Sequence, residues 1–380
     1  MPGTIAPGFN YDEAVAMLGL SQQNYIDTPG EPVSTTKGAP PVPGKPANWN
    51  LRSDLTPTNT TLLDNYWKVW QNTENPKQFA VSVRGTVSTA PSVLTDVLLP
   101  MLPARMKIGP TEFHFARAEP DSPVIAGVHA GFTLSTILML TSTDKPLLPV
   151  LLQIASDPDA ELFITGHSQG ASVALLLNSF VLHSQQLGGL PTKAYVYAPS
   201  KPGNDHYAYD LDQALSVKGL CFSVINSQDW VPQTALTLQG LKAMNQPNPV
   251  HQFNGDPNPE IPFLLRKLLG LVDDAEKAVQ DGLEHFLGKV AGLVSDASLH
   301  LLDHDGQPSP SGSSDFKQFV DAMLSTALPS LNYAKAGAIV PVFGVPGANP
   351  DDGPHQFDFF WQHHLGHYYE YLKAQYGPQA

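Results

Sequence analysis

The sequence predicts an α/β fold, a central and mostly parallel sheet flanked by helices, with a helical insertion ahead of the C-terminal stretch. Strand-like and helix-like runs alternate through the middle of the chain, as crossover connections between parallel strands require. One strand-like run passes through Gly166-His167-Ser168-Gln169-Gly170 straight into a long apolar helix. Between about residues 262 and 330 the character turns helix-rich, with Leu and Val recurring at helical spacing. At 380 residues and 42% hydrophobic, the chain is long enough for one large core and reads as a single domain, 1–380, with insertions.

The elements follow in order. MPGTIAPGFNYDEAV at the start has neither the basic opening nor the apolar stretch of a secretory signal, and no apolar run approaches the ~20 residues that span a bilayer. The expectation is a soluble protein with no transmembrane segment, cytoplasmic, or exported if a signal has already been removed. From 28 to 50 the prolines are too dense for a helix or a central strand, so an extended surface arm is expected. DNYWKVWQN, the turn-rich TENPK and QFAVSVRG come next. Phe79, Val81 and Val83 alternate with smaller or polar neighbours, which predicts two strands joined by a short turn. After Asp157 come a turn (DPDAE), a short apolar strand (162–165), the glycine-flanked serine, and a helix that closes at Gly188-Gly189. KAYVYAP and LCFSVIN read as two further buried strands. FLLRKLLGLV, AEKAVQDGLEHFLGKVAGLV and FKQFVDAML, around a PSPSGSS break, form the insertion at 262–330, read as a cap or side wall packed on the body.

Composition excludes several classes. A formal charge of −14 without a basic stripe argues against nucleic acid as partner, since phosphates need clustered Lys and Arg. A single cysteine, Cys221, permits neither an internal disulfide framework nor a cysteine-based zinc site, and its place in a strand-like run reads as a buried, inert thiol. LDHDG at 302–306 lacks the ligand spacing of a calcium or zinc motif and reads as a solvated loop. Neither a metal nor an organic cofactor is expected.

The chemistry centres on Ser168. A serine hydroxyl is a poor nucleophile at neutral pH, so it has to be lifted from the backbone, set beside a general base and faced with donors for an oxyanion. Gly166 and Gly170 flank it where any side chain would collide in a strained strand-to-helix turn, and the following helix aims its N-terminal amides at the developing charge. The acid and the base should follow the serine in chain order. Asp229, in a loop just after a strand and ahead of Val231-Pro232, is the candidate acid, with Asp210 and Asp212 as weaker rivals. The C-terminal DFFWQHHLGHYYEYL offers His363, His364 and His367 as bases. His129 and His167 read as structural.

VRGT at 83–86, VHAGF at 128–132, GHSQG, APSKPGN at 198–204 and NSQDWVP at 226–232 together resemble the class 3, or fungal-type, lipase family of α/β-hydrolases, in the family's order and from about residue 66 onward. The resemblance implies an α/β-hydrolase fold and a Ser-His-Asp triad of Ser168, Asp229 and one histidine. It places the oxyanion hole at Thr86 and the amide of Gln169. The family usually has Leu at the position of Gln169 and a third glycine at Ala171, and neither departure removes a catalytic group. Its histidine precedes a short helix with a tyrosine about five residues on. His363 (to Tyr368) and His364 (to Tyr369) both fit, and the spacing to Leu372 tilts the choice to His364; one of the pair is a spectator, since successive side chains diverge.

In that family a mobile lid occupies the interval after the oxyanion residue. Here 87–108 is the candidate lid, an apolar stretch broken by Pro100 and Pro103, and a fixed wall has the same composition. Val93, Leu94, Val97, Leu98 and Leu99 are the expected acyl-pocket residues, favouring medium to long chains because each buried methylene adds roughly 0.8 kcal/mol. The expected function is a triacylglycerol lipase or esterase acting on a lipid or small ester substrate, with a lipid–water interface as a working surface. A phospholipase or acyltransferase would use the same scaffold, and a silent hydrolase fold used for binding is the reading from a different class.

Overall fold

The computed structural model describes residues 5–26, 40–86, 100–108, 111–117, 125–235, 237, 321–328, 330–345 and 360–378. In chain order the strands are β1 (Trp49–Leu51), β2 (Trp67–Asn72), β3 (Gln78–Val83), β4 (Met101–Pro103), β5 (Arg105–Ile108), β6 (Thr111–His114), β7 (Gly127–His129), β8 (Glu161–His167), β9 (Thr192–Tyr197), β10 (Gly203–Asn204), β11 (Cys221–Asn226), β12 (Tyr333–Ala334) and β13 (Ala338–Val342). The longer helices are α1 (Tyr11–Gln23), α2 (Ala130–Thr141), α3 (Leu147–Ala155), α4 (Gln169–His183), α5 (Asp205–Leu211) and α6 (Leu365–Tyr376). Among these described residues no helix is long and apolar enough to cross a membrane.

Seven strands form the main sheet in the order β1-β2-β3-β8-β9-β11-β13. From β3 onward the pairs are parallel, while β1-β2 and β2-β3 are antiparallel, so the hairpin read from TENPK is the antiparallel end of a parallel sheet. A smaller sheet, β12-β10-β7-β4, lies beside it. The central strand β8 is buried along its whole length, which is why LFIT reads as a continuous apolar run.

Alternation along the strands divides two hydrophobic cores. Val81, Val83, Leu162, Ile164, Ala194 and Val196 face one core with residues of α2, α3, α4 and α5. Ala80, Phe163, Tyr195, Tyr197, Phe222 and Val224 face the other, covered by Ala14, Met17 and Leu18 of α1 and by Leu365, Tyr368 and Leu372 of α6. Each fully buried Leu or Phe contributes about 1.5–3 kcal/mol relative to exposure. The two ends of the chain therefore share one face of the sheet, and the N-terminus of α6 comes to the end of β8 where the serine turn begins.

Helix α4 stops earlier than the glycine pair suggests. It ends at His183, with Ser184 in an extended conformation, and Gly188 instead closes a turn by donating its amide to Ser184 at 2.7 Å. Of the arm expected at 28–50, residues 40–50 are described, and its last residues enter edge strand β1. Of the candidate lid, 100–108 is described and is largely strand: Met101 and Leu102 are fully buried and β4 pairs with β7. Of the insertion at 262–330, all but 321–328 and 330 lies outside the described residues, as do Val93, Leu94, Val97, Leu98 and Leu99.

Candidate active site

β8 ends at His167 and α4 begins at Gln169, so Ser168 alone carries the reversal. Its backbone is left-handed, φ 61 and ψ −133, a conformation costing a non-glycine residue of order 1–3 kcal/mol. The amide of Ser168 is tied to Tyr197 O at 2.9 Å, and the packed turn around it holds the strain. A Cβ on Gly166 would lie 2.3 Å from Gly170 O, and one on Gly170 would lie 2.5 Å from Val83 O. These are backbone atoms that cannot move aside, so both flanking glycines are obligatory. Ser168 remains partly exposed while its neighbours are buried.

Asp229 follows β11 in a tight turn. Asn226 shapes it, with its Oδ1 accepting the amide of Gln228 at 3.0 Å and its carbonyl accepting the amide of Asp229 at 3.1 Å. The buried carboxylate is then fully engaged. Oδ1 accepts the Val231 amide at 2.9 Å, and Oδ2 accepts His363 Nδ1–H and Tyr368 Oη–H, each at 2.7 Å. Tyr368 Oη in turn accepts the amide of Asn226 at 3.2 Å, so one phenol links the strand end, the acid and α6. Burial and the adjacent carboxylate push the Tyr368 phenol well above its ordinary range, which keeps it a donor.

The structure thus pairs His363, and not the spacing-favoured His364, with the acid. The short turn Trp361–His363 ends where α6 begins, and the two histidine side chains diverge there. His364 lies buried with its ring edge-on to Trp361 at 6.0 Å. With Nδ1 committed to Asp229, the other nitrogen of His363 is the basic one. Nε2 is buried and has no hydrogen-bond partner among the described residues, Ser168 included. The ring lies 4.5 Å, centroid to centroid, from that of His167, the residue immediately before the serine.

His167 is a linking group. Fully buried, it is held well below its usual pKa by desolvation and by neighbouring His363, and so stays neutral. His129 likewise caps α2, stacks on Phe132 at 4.0 Å and is pushed down to about 3 by burial. His367 is pushed down to about 4 by burial, with its ring stacked on Tyr371. None of the three bonds the acid. Asp210, the rival carboxylate, is paired with His183 at 2.5 Å, and Asp212 takes Ser216 and the Gly337 amide.

On the oxyanion side, Arg84-Gly85-Thr86 leaves β3 next to β8, whose Val83–Gly166 register sets this loop against the serine turn. A Cβ on Gly85 would be 3.2 Å from Ser168 Cβ. Gln169 is the first residue of α4, where helical amides point out of the helix rather than into it. Tyr368 and Tyr25 are the participants that sequence reading did not assign. Tyr368 was visible only as a spacing marker. Tyr25 follows α1, whose start is signalled by Asn10 and Glu13 in a capping pattern, Asn10 Oδ1 accepting the Glu13 amide at 3.0 Å.

Part of the chain and its fold are similar to known proteins. Residues 80–238 match the family described as lipase (class 3). Among solved structures, M37 lipase is 15% identical and superposes with a TM-score of 0.51, covering 96% of this chain and 94% of its own. Lip2 lipase from Yarrowia lipolytica is 18% identical over 61% of this chain and 76% of its own, with a TM-score of 0.44. A lipase from Rhizopus microsporus var. chinensis is 21% identical over 61% of this chain and 73% of its own, with a TM-score of 0.40. No protein of curated function matches the sequence. The M37 lipase superposition supports the α/β-hydrolase fold alone, and residues 80–238, the span that holds Ser168 and Asp229, are similar to the class 3 lipases.

Proposed function

We propose that the protein is a serine carboxylic ester hydrolase, a lipase or esterase for medium to long acyl esters, with Ser168, His363 and Asp229 as its triad. The observation that carries this reading is the Asp229–His363 hydrogen bond at 2.7 Å, made by an imidazole whose ring packs on His167, the residue before the left-handed Ser168. Asp229 fixes the tautomer: Nδ1–H donates to the carboxylate, leaving the Nε2 lone pair to take the serine proton. Ser168 Oγ attacks the ester carbonyl as that proton moves, and the imidazolium gains the buried carboxylate as counter-charge. The oxyanion is assigned to the amides of Thr86 and Gln169, where one such donor is worth about 2.7–4 kcal/mol. His363 returns the proton to the leaving alcohol, and water, deprotonated by the same nitrogen, releases the fatty acid. The mechanism requires Oγ and Nε2 to come within hydrogen-bond range in the substrate complex, as such pairs commonly do.

The apolar sequence of 87–99 supports an acyl-lined cover over the serine, and Val93, Leu94, Val97, Leu98 and Leu99 are proposed to line the chain site. Within the candidate lid, Met101–Pro103 and Arg105–Ile108 are paired strands. Hydrolysis of a p-nitrophenyl ester series and of a triolein emulsion tests the proposal. The expected result is turnover that rises to acyl chains of roughly eight carbons or more and is abolished in Ser168→Ala. Fastest turnover of the acetate ester contradicts the chain-length assignment, and activity retained in Ser168→Ala contradicts the mechanism.

A further inference from the structure

We propose that Tyr25, on the turn after the N-terminal helix, is a positioning residue of the active site that locks the oxyanion-side loop, the serine turn and the base into one register. This inference rests on the hydrolase reading above and adds a residue to it. Tyr25 Oη lies 3.1 Å from the Gly85 amide and 3.0 Å from His167 Nδ1, and His167 Nε2 lies 2.8 Å from the carbonyl oxygen of His363. With a neutral His167 these contacts have one consistent set of proton positions. A carbonyl only accepts, so His167 carries its proton on Nε2 and donates it to His363 O. Nδ1 of a neutral imidazole then only accepts, so Tyr25 Oη–H donates to it. The phenolic oxygen keeps its lone pairs for the Gly85 N–H. Burial, which disfavours a charged His167, is consistent with this neutral form.

The chain of bonds ties the adjoining ends of β3 and β8 to His363, which lies outside the main sheet. Gly85 precedes the proposed oxyanion residue Thr86, His167 precedes the nucleophile, and His363 is the proposed base. The Tyr25 hydroxyl bonds the first two directly and reaches the third through the His167 ring. The site is shaped for that hydroxyl, since a Cβ on residue 85 would lie 2.1 Å from Tyr25 Oη. Tyr25 itself is fixed by its amide on Gln22 O at 3.0 Å and by its ring set edge-on to His167 at 5.9 Å. Removing the hydroxyl leaves the Gly85 amide and His167 Nδ1 without these partners and frees His167 to take the other tautomer, which breaks its bond to His363 O.

The test uses the full chain and two readouts. In Tyr25→Phe, kcat for an octanoate ester is expected to fall roughly ten- to hundredfold, less than for loss of a direct oxyanion donor, with KM changed less than about threefold. In the intact protein with 15N-labelled histidine, the imidazole of His167, assigned through His167→Gln, is expected as the Nε2–H tautomer. An unchanged kcat in folded Tyr25→Phe, or a Nδ1–H or doubly protonated His167 in the intact protein, overturns the proposal. If Tyr25→Phe does not fold, the tautomer in the intact protein decides. Absence of ester turnover in the intact protein is instead a failure of the hydrolase reading, and the tautomer still reports on the network.

Discussion

Asp229 receives three hydrogen bonds and Tyr368 supplies one of them, so the acid is held by the same helix that presents the base. A bond to a buried carboxylate is worth about 1.5–3 kcal/mol. Tyr368→Phe is accordingly expected to lower kcat roughly tenfold with KM little changed, read by steady-state hydrolysis of an octanoate ester. His363→Ala is expected to lower kcat/KM by about 10⁴, while His364→Ala stays within about tenfold of the parent because its ring faces Trp361. Equal losses in the two variants would contradict the assignment. At this scale the sequence displayed Ser168 and Asp229 clearly, because a strained turn requires glycines and an acid loop requires its flanking residues. It left His363 and His364 unresolved, since spacing along the chain does not report which of two successive side chains faces a carboxylate 134 residues away.

The β8–turn–α4 unit was legible because its signals are local: a buried central strand is continuously apolar, and the turn admits only glycine on either side of the serine. Helix α1 carries its Asn10 cap, but its buried residues, Ala14 and Met17 to Ser21, include a continuous run rather than one apolar stripe, so the sequence shows no helical face there. That face is decided by tertiary packing: Ala14, Met17 and Leu18 lie on Phe163, Tyr195 and Tyr197, and Tyr197 Oη bonds the carbonyl of Ala14. Lys193, fully buried, extends to Glu13 at 2.6 Å and to Ala6 O at 2.7 Å, pinning the helix start. Leu18→Ala at this fully buried position is expected to cost about 2–5 kcal/mol in urea unfolding. A loss below about 1 kcal/mol would show that α1 is not docked as described. Because Tyr25 lies in the turn that follows this helix, the same variant should also reduce ester turnover.

Across the whole molecule, burial of neutral histidines makes stability depend on pH with a definite sign. His129 has a folded pKa of about 3 against an ordinary value of 6.5, so the native state excludes a proton that the unfolded chain accepts. Its stabilising contribution is complete above pH 6.5 and is lost at about 1.4 kcal/mol per unit as pH falls toward 3; His167 acts in the same direction. Between pH 7 and pH 5 the His129 share is about 2 kcal/mol. His129→Asn keeps an N-cap for α2 without a titrating ring, and urea unfolding at the two pH values should show a correspondingly smaller loss than in the parent protein. The proposed triad draws a serine from the sheet centre, an acid from the next-but-one strand and an imidazole from the turn before the C-terminal helix. Its most direct test is the rate and site of labelling by a fluorophosphonate probe in the intact protein, His363→Ala and His364→Ala. The account predicts a single adduct, on Ser168, formed by the intact protein and His364→Ala and lost in His363→Ala. An adduct on another residue, or labelling that survives in His363→Ala and disappears in His364→Ala, would contradict it.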